Sequence, residues 1–477
     1  MTLRTTLALI SLALLSRAAL AQPPANSPRR TWQVDVIERL GSGVVAVFSD
    51  GKDGKTHSGS GSIIHASGYV LTNDHVIEDR SGVVLVRGFP PLAYRTIGRL
   101  WDKDLALLKI DAPKPLVAIP LGRSYDLAAG EPILVGGNPG GRGIVFSSGI
   151  VSAAEVMDGM SALMMASFPD DARDRLIQFD AASNPGNSGG PVVNAEGRQI
   201  GVVVRKILSE QDINYAIPID RARLRMRDLL LPEEQGDFWT GITLQPATNT
   251  IGRAPEDSPA AAAGLKTGDV ITTVDERPVT NEVDWLVALV GRKSGERLAV
   301  KYTRDGSEHS TSLSLVAYPT HPATQVATPK AGLRFRVYPG RFTRCPDVGQ
   351  LKASAEGTIE QPRLDRVPGL PGDDYALVFQ GYLEIPETGV WTLAINSDDG
   401  SRLFVDGELV ANNDGPHPPQ WAIGRGRFAA GLHPVRIEFF EATGGEDLQI
   451  VLNRDGSNER QEPKFFIDDE KPNAAAQ

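Results

Sequence analysis

Between Thr31 and Asp228 short apolar runs alternate with Gly and Asp turns: VVAVFS, SGYVLTN, GVVLVRG, DLALLKI, PILVGG, GIVSAAEV and IGVVV. Runs of this kind between turn formers predict strands, and their close succession predicts an all-β barrel or sandwich. The charged stretch from Arg221 to Glu234 then reads as a closing helix and hinge. Residues 238–317 carry a different pattern, with strands predicted around Gly241, Val270 and Leu298. A helix is predicted after Thr280, where Val283, Leu286, Val287 and Val290 fall at the i, i+3, i+4 and i+7 spacing of one helical face. That unit is mixed α+β. The proline-bearing segment 319–331 predicts an extended, semi-rigid linker. Beyond it, residues 332–468 alternate apolar and polar positions in LRFRVYPG, YALVFQGYLEIP, GVWTLAINS, SRLFVDGELV, HPVRIEFFEA and LQIVLN, with no helical period, so a β-sandwich is the natural closure. The tail KPNAAAQ reads as a frayed end.

At 477 residues the chain has room for about three domains, and 49 basic against 59 acidic side chains leave a formal charge of −10. An acidic balance gives phosphate no general attraction, so a nucleic-acid partner has no electrostatic support. The first residues, MTLRTTLALISLALLSRAALAQ, place Arg4 before an apolar stretch and the small-x-small site Ala19-Leu20-Ala21 before Gln22, the pattern of a secretory signal peptide over residues 1–21. The apolar stretch is too short to span a hydrocarbon core of about 30 Å, which points to export rather than anchoring. The lone Cys345 allows no intramolecular disulfide, so an exported chain of this kind must rely on its cores.

One constellation carries chemistry. A serine hydroxyl is a poor nucleophile at neutral pH and needs an imidazole base, a carboxylate to orient that base, and donors for the oxyanion. Ser188 lies in NPGNSGGP, whose glycines permit backbone torsions that expose a side chain and turn the N–H groups of Gly186 and Ser188 to one point. His75 follows a strand run in LTNDHVI, and Asp104 opens another in DKDLALLKI. Taken singly, a structural histidine, a turn aspartate and a tight glycine turn are the commoner explanations of these residues. Taken together, the order His, Asp, Ser within an all-β region is that of the chymotrypsin-type triad.

The strings LTNDHVI, DLALLKI, GGNPGG, FSSGIVSA, FDAASNPGNSGGPVVN and INYAIPID resemble, in order and spacing, the HtrA (DegP-like) trypsin-like serine proteases. The resemblance implies a chymotrypsin-like double β-barrel over residues 31–228, with His75 as general base, Asp104 as its orienting carboxylate, Ser188 as nucleophile, and the Gly186 and Ser188 amides as oxyanion hole. Asp74 departs from the family, which commonly has Asn there, and sets a further negative charge beside the base. The residue six before the nucleophile is Ala182; with Val202 and Val204 it suggests an apolar specificity pocket and cleavage after small or medium aliphatic residues, although both valines could equally be core.

WTGITL and EDSPAAAAGLKTGDVITTVDERPV resemble the PDZ domain of the same family, over residues 238–317, which implies capture of hydrophobic C-terminal peptides with Thr240, Gly241 and Ile242 at the terminal carboxylate. GVWTLAINSDDGSRLFVDGELVANNDG and GLHPVRIEFFEATGGEDLQI resemble the protective-antigen-type β-sandwich of toxins, glycosidases and adhesins. In adhesins of that type paired aspartates hold Ca2+ against sugar hydroxyls; here these are Asp398 and Asp399, although Asp-Asp-Gly is also an ordinary hairpin turn. Trp391 and Trp421 are candidates for stacking on sugar, with burial the better reading for Trp391. The expected protein is thus an exported, periplasmic or extracellular bacterial serine endopeptidase needing no cofactor for catalysis. It would act on unfolded polypeptide, with a possible glycan partner, as a homotrimer anchored by Trp32. The competing readings are a non-catalytic chaperone or adaptor and a glycan-binding envelope protein.

Overall fold

The computed structural model describes residues 27–51, 55–77, 81–156, 175–204, 213–454 and 461–469. The expected signal peptide over 1–21 and the tail over 471–477 lie outside the described residues. The chain forms two units, one through Asp174–Gly236 and Thr240–Val316 together with the chain before them, the other chiefly Ala317–Gln477.

In the first unit, strands β1 (Val44–Asp50), β2 (Thr56–His65), β3 (Tyr69–Thr72), β4 (Ser81–Leu85), β5 (Leu92–Leu100) and β6 (Leu105–Ile110) close into a barrel in the order β1-β2-β3-β6-β5-β4. A second barrel follows, from β7 (Pro132–Gly137), β8 (Val145–Val156), β9 (Leu176–Phe179), β10 (Pro191–Asn194), β11 (Gln199–Val203) and β12 (Asn214–Pro218), in the order β10-β11-β12-β9-β8-β7. Closure leaves no sheet edge exposed. Valine, isoleucine and leucine dominate each interior, with Val45, Ile63, Val70 and Leu108 in the first and Ile133, Val151 and Ile200, joined by Phe179, in the second. The helix α1 (Trp32–Leu40) packs Val36 and Leu40 on Val44, Ile119, Leu134 and Val193, side chains drawn from both barrels, with Trp32 against the same cluster.

The strand β2 has little apolar content, and its Ser60 and Ser62 are wholly buried. Small residues are needed there because a Cβ on Gly59 would meet Val76 at 2.6 Å and one on Gly61 would meet Val70 at 2.7 Å. The expected single closing helix is three short ones, α2 (Ile219–Leu224), α3 (Met226–Leu230) and α4 (Pro232–Gly236), broken where Leu231 takes a left-handed φ of 42°. Nor is the expected hinge exposed: Glu233 and Glu234 are buried, each paired with Arg227.

The mixed unit holds a short pair, β13 (Thr243–Leu244) with β14 (Ile251–Arg253), the helix α5 (Pro259–Ala262), and a sheet of β15 (Val270–Val274), β16 (Arg277–Pro278), β17 (Arg297–Arg304) and β18 (Ser307–Ser314) in the order β16-β15-β17-β18. Its helix α6 (Glu282–Leu289) starts where the Asn281 side chain accepts the Val283 and Asp284 amides, a standard N-cap. Val283 and Leu286 are buried as the pattern required, while Val290 lies past the helix end and is 40% exposed.

The second unit is a β-sandwich. Tyr375–Ile385 pairs with Gly431–Glu441 in its larger sheet, and Gly389–Asp398 lies between Gln420–Phe428 and Asp447–Arg454 in the smaller. Trp391, Phe379, Phe428 and Phe439 fill the space between, so Trp391 is core. The segment expected to be a linker is largely laid on this sandwich. His321 donates its amide to Arg427, Thr324 donates to Leu432, and Pro329–Ala331 forms an edge strand against Phe465–Asp468. Proline keeps its carbonyl and prefers extended torsions, so a proline-bearing segment can pair at an edge where its missing donor faces outward.

Candidate active site

His75 lies in the single turn Asp74–Val76 directly after β3, and Asp104 lies in the turn before β6 with a left-handed φ of 50°. The strands β3 and β6 are antiparallel neighbours with Thr72 opposite Ala106, so the residues just past one face those just before the other. Asp104 consequently meets His75 twice. Its Oδ1 accepts the His75 backbone amide at 3.0 Å, and its two oxygens lie 2.9 and 2.8 Å from the ring Nδ1. An ionised carboxylate can only accept, so Nδ1 carries the proton and Nε2 is left as the basic nitrogen. Asn73 adds a bond from its Nδ2 to the Asp104 carbonyl at 2.9 Å.

Ser188 comes from the other barrel, in the loop between β9 and β10. What brings it to the histidine segment is Ser60, a residue the sequence pattern did not single out. The Ser60 amide donates to the Ser188 carbonyl at 2.8 Å, the Ser60 carbonyl accepts Thr72 Oγ1 at 2.7 Å, and Ser60 Oγ donates to the Gly186 carbonyl at 2.6 Å while accepting the Asn138 amide at 2.8 Å. The only signal in the sequence is the small-residue run SGSGS, which permits such close backbone approach.

The loop torsions suit an oxyanion site. Gly186 has φ 104° and Gly189 φ 83°, and a Cβ on Gly186 would fall 2.5 Å from the Asn138 carbonyl. The amides of Asn187, Gly189 and Gly190 are spent within the protein, on Asn184, Val203 and Asn187. Among the described residues, no acceptor takes the amides of Gly186 or Ser188. Two unspent N–H groups at Ser188, tied through Ser60 and Thr72 to the strand that leads into His75, are parts required for acyl transfer.

Asp74, next to the histidine, is 8% exposed and held by Arg99, whose Nε lies 2.5 Å from Oδ1 and whose Nη2 lies 3.0 Å from Oδ2. Burial outweighs this pairing and pushes the Asp74 carboxyl above the ordinary carboxylate range.

The other candidate positions fare unevenly. Ala182 is exposed, with its carbonyl accepting Ser147 Oγ at 2.7 Å, and Val204 is half-buried. Val202 has no exposed surface and belongs with the core rather than the wall of an open pocket. Thr240, Gly241 and Ile242 do not present an open cradle. Thr240 gives its amide and hydroxyl to Glu233 Oε1 at 2.7 and 2.5 Å, and Ile242 gives its amide to Thr240 Oγ1 at 3.1 Å. The carboxyl that Thr240 binds is thus the chain's own Glu233.

In the sandwich, Asp398 ends a strand and Asp399 follows, its oxygens accepting the His417 and Ala442 amides at 3.0 Å each. Neighbouring Glu441 is fully buried, and burial with the charges of Asp399 and Asp398 pushes its carboxyl up to about 8 against the opposing pull of the Asp399 backbone amide. Among the described residues, no group of three or more His, Cys, Asp or Glu is placed to hold a metal ion, so the fit to Ca2+ is incomplete. Trp421 is half-buried.

Comparison with known proteins agrees with this geometry. Residues 59–202, which contain His75, Asp104 and Ser188, match the trypsin-like peptidase domain; residues 241–315 match a PDZ domain, and residues 329–464 a PA14 domain. A protein of Pseudomonas fluorescens named "Probable periplasmic serine endoprotease DegP-like" is 33% identical over 294 residues, 58% of this chain and 59% of that one. One of the same name from Marinomonas sp. is 34% identical over 284 residues, 55% of this chain and 58% of that one. The chain thus spans less than two thirds of the length of these relatives. A solved serine endoprotease from Yersinia pestis is 26% identical, covering 62% of this chain and all of its own, with a TM-score of 0.36. No helix among the described residues is long and apolar enough to cross a membrane. The chain thus carries a trypsin-like peptidase domain, a PDZ domain and a PA14 domain, and over part of its length it is similar to DegP-like serine endoproteases.

Proposed function

We propose that this chain is an exported serine endopeptidase of HtrA type that hydrolyses peptide bonds in unfolded or misfolded polypeptide. The observation that carries the reading is the Asp104–His75 pair, with its basic nitrogen left available, in the same site as a serine flanked by two unspent amides. Ser188 Oγ attacks the scissile carbonyl as His75 Nε2 takes its proton, and Asp104 stabilises the resulting imidazolium. The Gly186 and Ser188 amides receive the oxyanion, and His75 then returns the proton to the leaving amine. Ala182 and Val204 border the primary pocket and favour small or medium aliphatic residues there. The PDZ domain takes hydrophobic C-terminal peptides once Glu233 withdraws. Trimerisation through the Trp32 region, a periplasmic address and a glycan partner for the PA14 domain complete the proposal. A fluorophosphonate probe tests its centre: peptide mapping should find the probe on Ser188, and the His75→Ala protein should not react. Labelling elsewhere, or none, would count against it.

The PA14 domain supports a second role, adhesion to carbohydrate near Asp398 and Asp399, because the carboxyls of these two residues lie close enough to raise that of Glu441. Calorimetric titration of the full chain with CaCl2 tests this. A binding isotherm lost in the Asp398→Asn variant supports it, and no heat at millimolar Ca2+ rejects it.

A further inference from the structure

The site contains a second ion pair that the triad does not use. The strand β5 carries a bulge between Thr96 and Gly98 in its pairing with β6, after which Arg99 stands opposite Ala106. Bulges re-aim the side chains that follow them. Here the guanidinium reaches Asp74 with two parallel bonds, a planar match that lysine cannot make. Gly98 makes that path possible, because a Cβ on it would lie 2.1 Å from the Leu229 carbonyl of α3. The ionisable groups that act on Asp74 are Arg99 from β5, Asp104 from the turn before β6, and His75 in its own turn. Without Arg99, His75 would stand between two carboxylates.

We propose that Arg99 is a positioning residue for the general base: its bidentate bond to Asp74 fixes the turn that carries His75 and cancels the second carboxylate beside it. The reading rests on the proposed protease function only in assigning His75 as base. The pair itself is a property of the fold. With it intact, the imidazole senses one uncompensated carboxylate, that of Asp104, to which it is oriented. With it broken, Asp74→Asn leaves the Arg99 guanidinium charge near the base, and Arg99→Met leaves the Asp74 carboxyl, which raises the proton affinity of the imidazole to the extent that it is ionised.

The test uses the full chain carrying Ser188→Ala and histidine labelled at Cε1, so that the His75 ring is titrated by NMR without turnover. Arg99→Met should move its midpoint up by about one pH unit, roughly tenfold in proton affinity, and Asp74→Asn should move it down. The double variant Asp74→Asn/Arg99→Met should return it close to the parent value. A merely structural role would alter melting temperature in these proteins without this pattern of signs and its cancellation. Coincident midpoints in all four proteins overturn the proposal, as does a double variant that stays displaced. If Arg99→Met does not fold, Asp74→Asn against the double variant decides in the same way, since removing the guanidinium charge must raise the midpoint. Because no substrate is used, a parent protein without protease activity would reject the function while leaving this result to stand.

Discussion

Gly189 approaches Thr72 so closely that a Cβ on the glycine would lie 2.2 Å from Thr72 Oγ1 and 2.3 Å from the Ser60 carbonyl. Thr72 ends the strand leading to His75, and Gly189 follows Ser188, so this contact fixes the distance between the two halves of the catalytic apparatus. Gly189→Ala should separate them. The expected outcome is a fall in kcat of about 10^2-fold or more with KM changed little, measured on protein whose folded fraction is checked by near-UV circular dichroism.

Asp104 holds both the backbone and the ring of His75, so Asp104→Asn should leave the turn in place and lose the tautomer. Steady-state assays at neutral pH should show kcat lowered by about 10^3 to 10^4-fold. A fall of less than tenfold would mean that some other group orients the base.

Arg223 is buried in α2, where it donates to the Gly122 and Leu121 carbonyls at 2.9 and 2.6 Å and pairs with Glu282 at the start of α6. Removing one member of a buried pair leaves the other charge uncompensated, so Arg223→Met should destabilise this unit by about 3 kcal/mol. Calorimetry should then show an earlier first transition. An unmoved transition would show that the pair adds nothing.

Glu441 gives a pH dependence of definite sign. Its carboxyl is raised from 4.5 to about 8, so the folded sandwich binds this proton more tightly than the unfolded chain does. The stabilisation from the protonated form is complete below about pH 4.5 and is lost as pH rises toward 8, a loss of roughly 2–4 kcal/mol. The sandwich transition should therefore occur at lower temperature at pH 8 than at pH 5, and Glu441→Gln should flatten the difference. A sandwich that melts higher at pH 8 would reverse the assignment.

Glu233 accepts the Thr240 amide and hydroxyl at the loop proposed to receive a peptide terminus, so Glu233→Ala should increase affinity for hydrophobic C-terminal peptides by about tenfold by removing an internal competitor. Fluorescence anisotropy reads this directly. Unchanged affinity would place the peptide site elsewhere.

The parts legible in the sequence are those built from local rules. The strand runs of both barrels, the Asn281-capped helix and the alternating strands of the sandwich show their periods openly. His75, Asp104 and Ser188 were found because their flanking strings are distinctive. What escaped depends on partners distant in sequence. Ser60 looks like an ordinary serine in a polar run until the fold places Thr72, Asn138, Gly186 and Ser188 around it. Arg99 is one of many arginines until a bulge turns it toward Asp74. Val202 reads equally as pocket or core, and only burial separates the two. The segment 319–331 has a linker's composition, but an edge of the sandwich supplies the hydrogen bonds that composition cannot foresee.

The most direct measurement is digestion of reduced, unfolded casein by the chain from Gln22 onward beside its Ser188→Ala variant, with every new terminus identified by mass spectrometry. Cleavage is expected from the parent alone, after small or medium aliphatic residues. Equal cleavage by both proteins, or none by the parent even with a hydrophobic C-terminal peptide present, would contradict it.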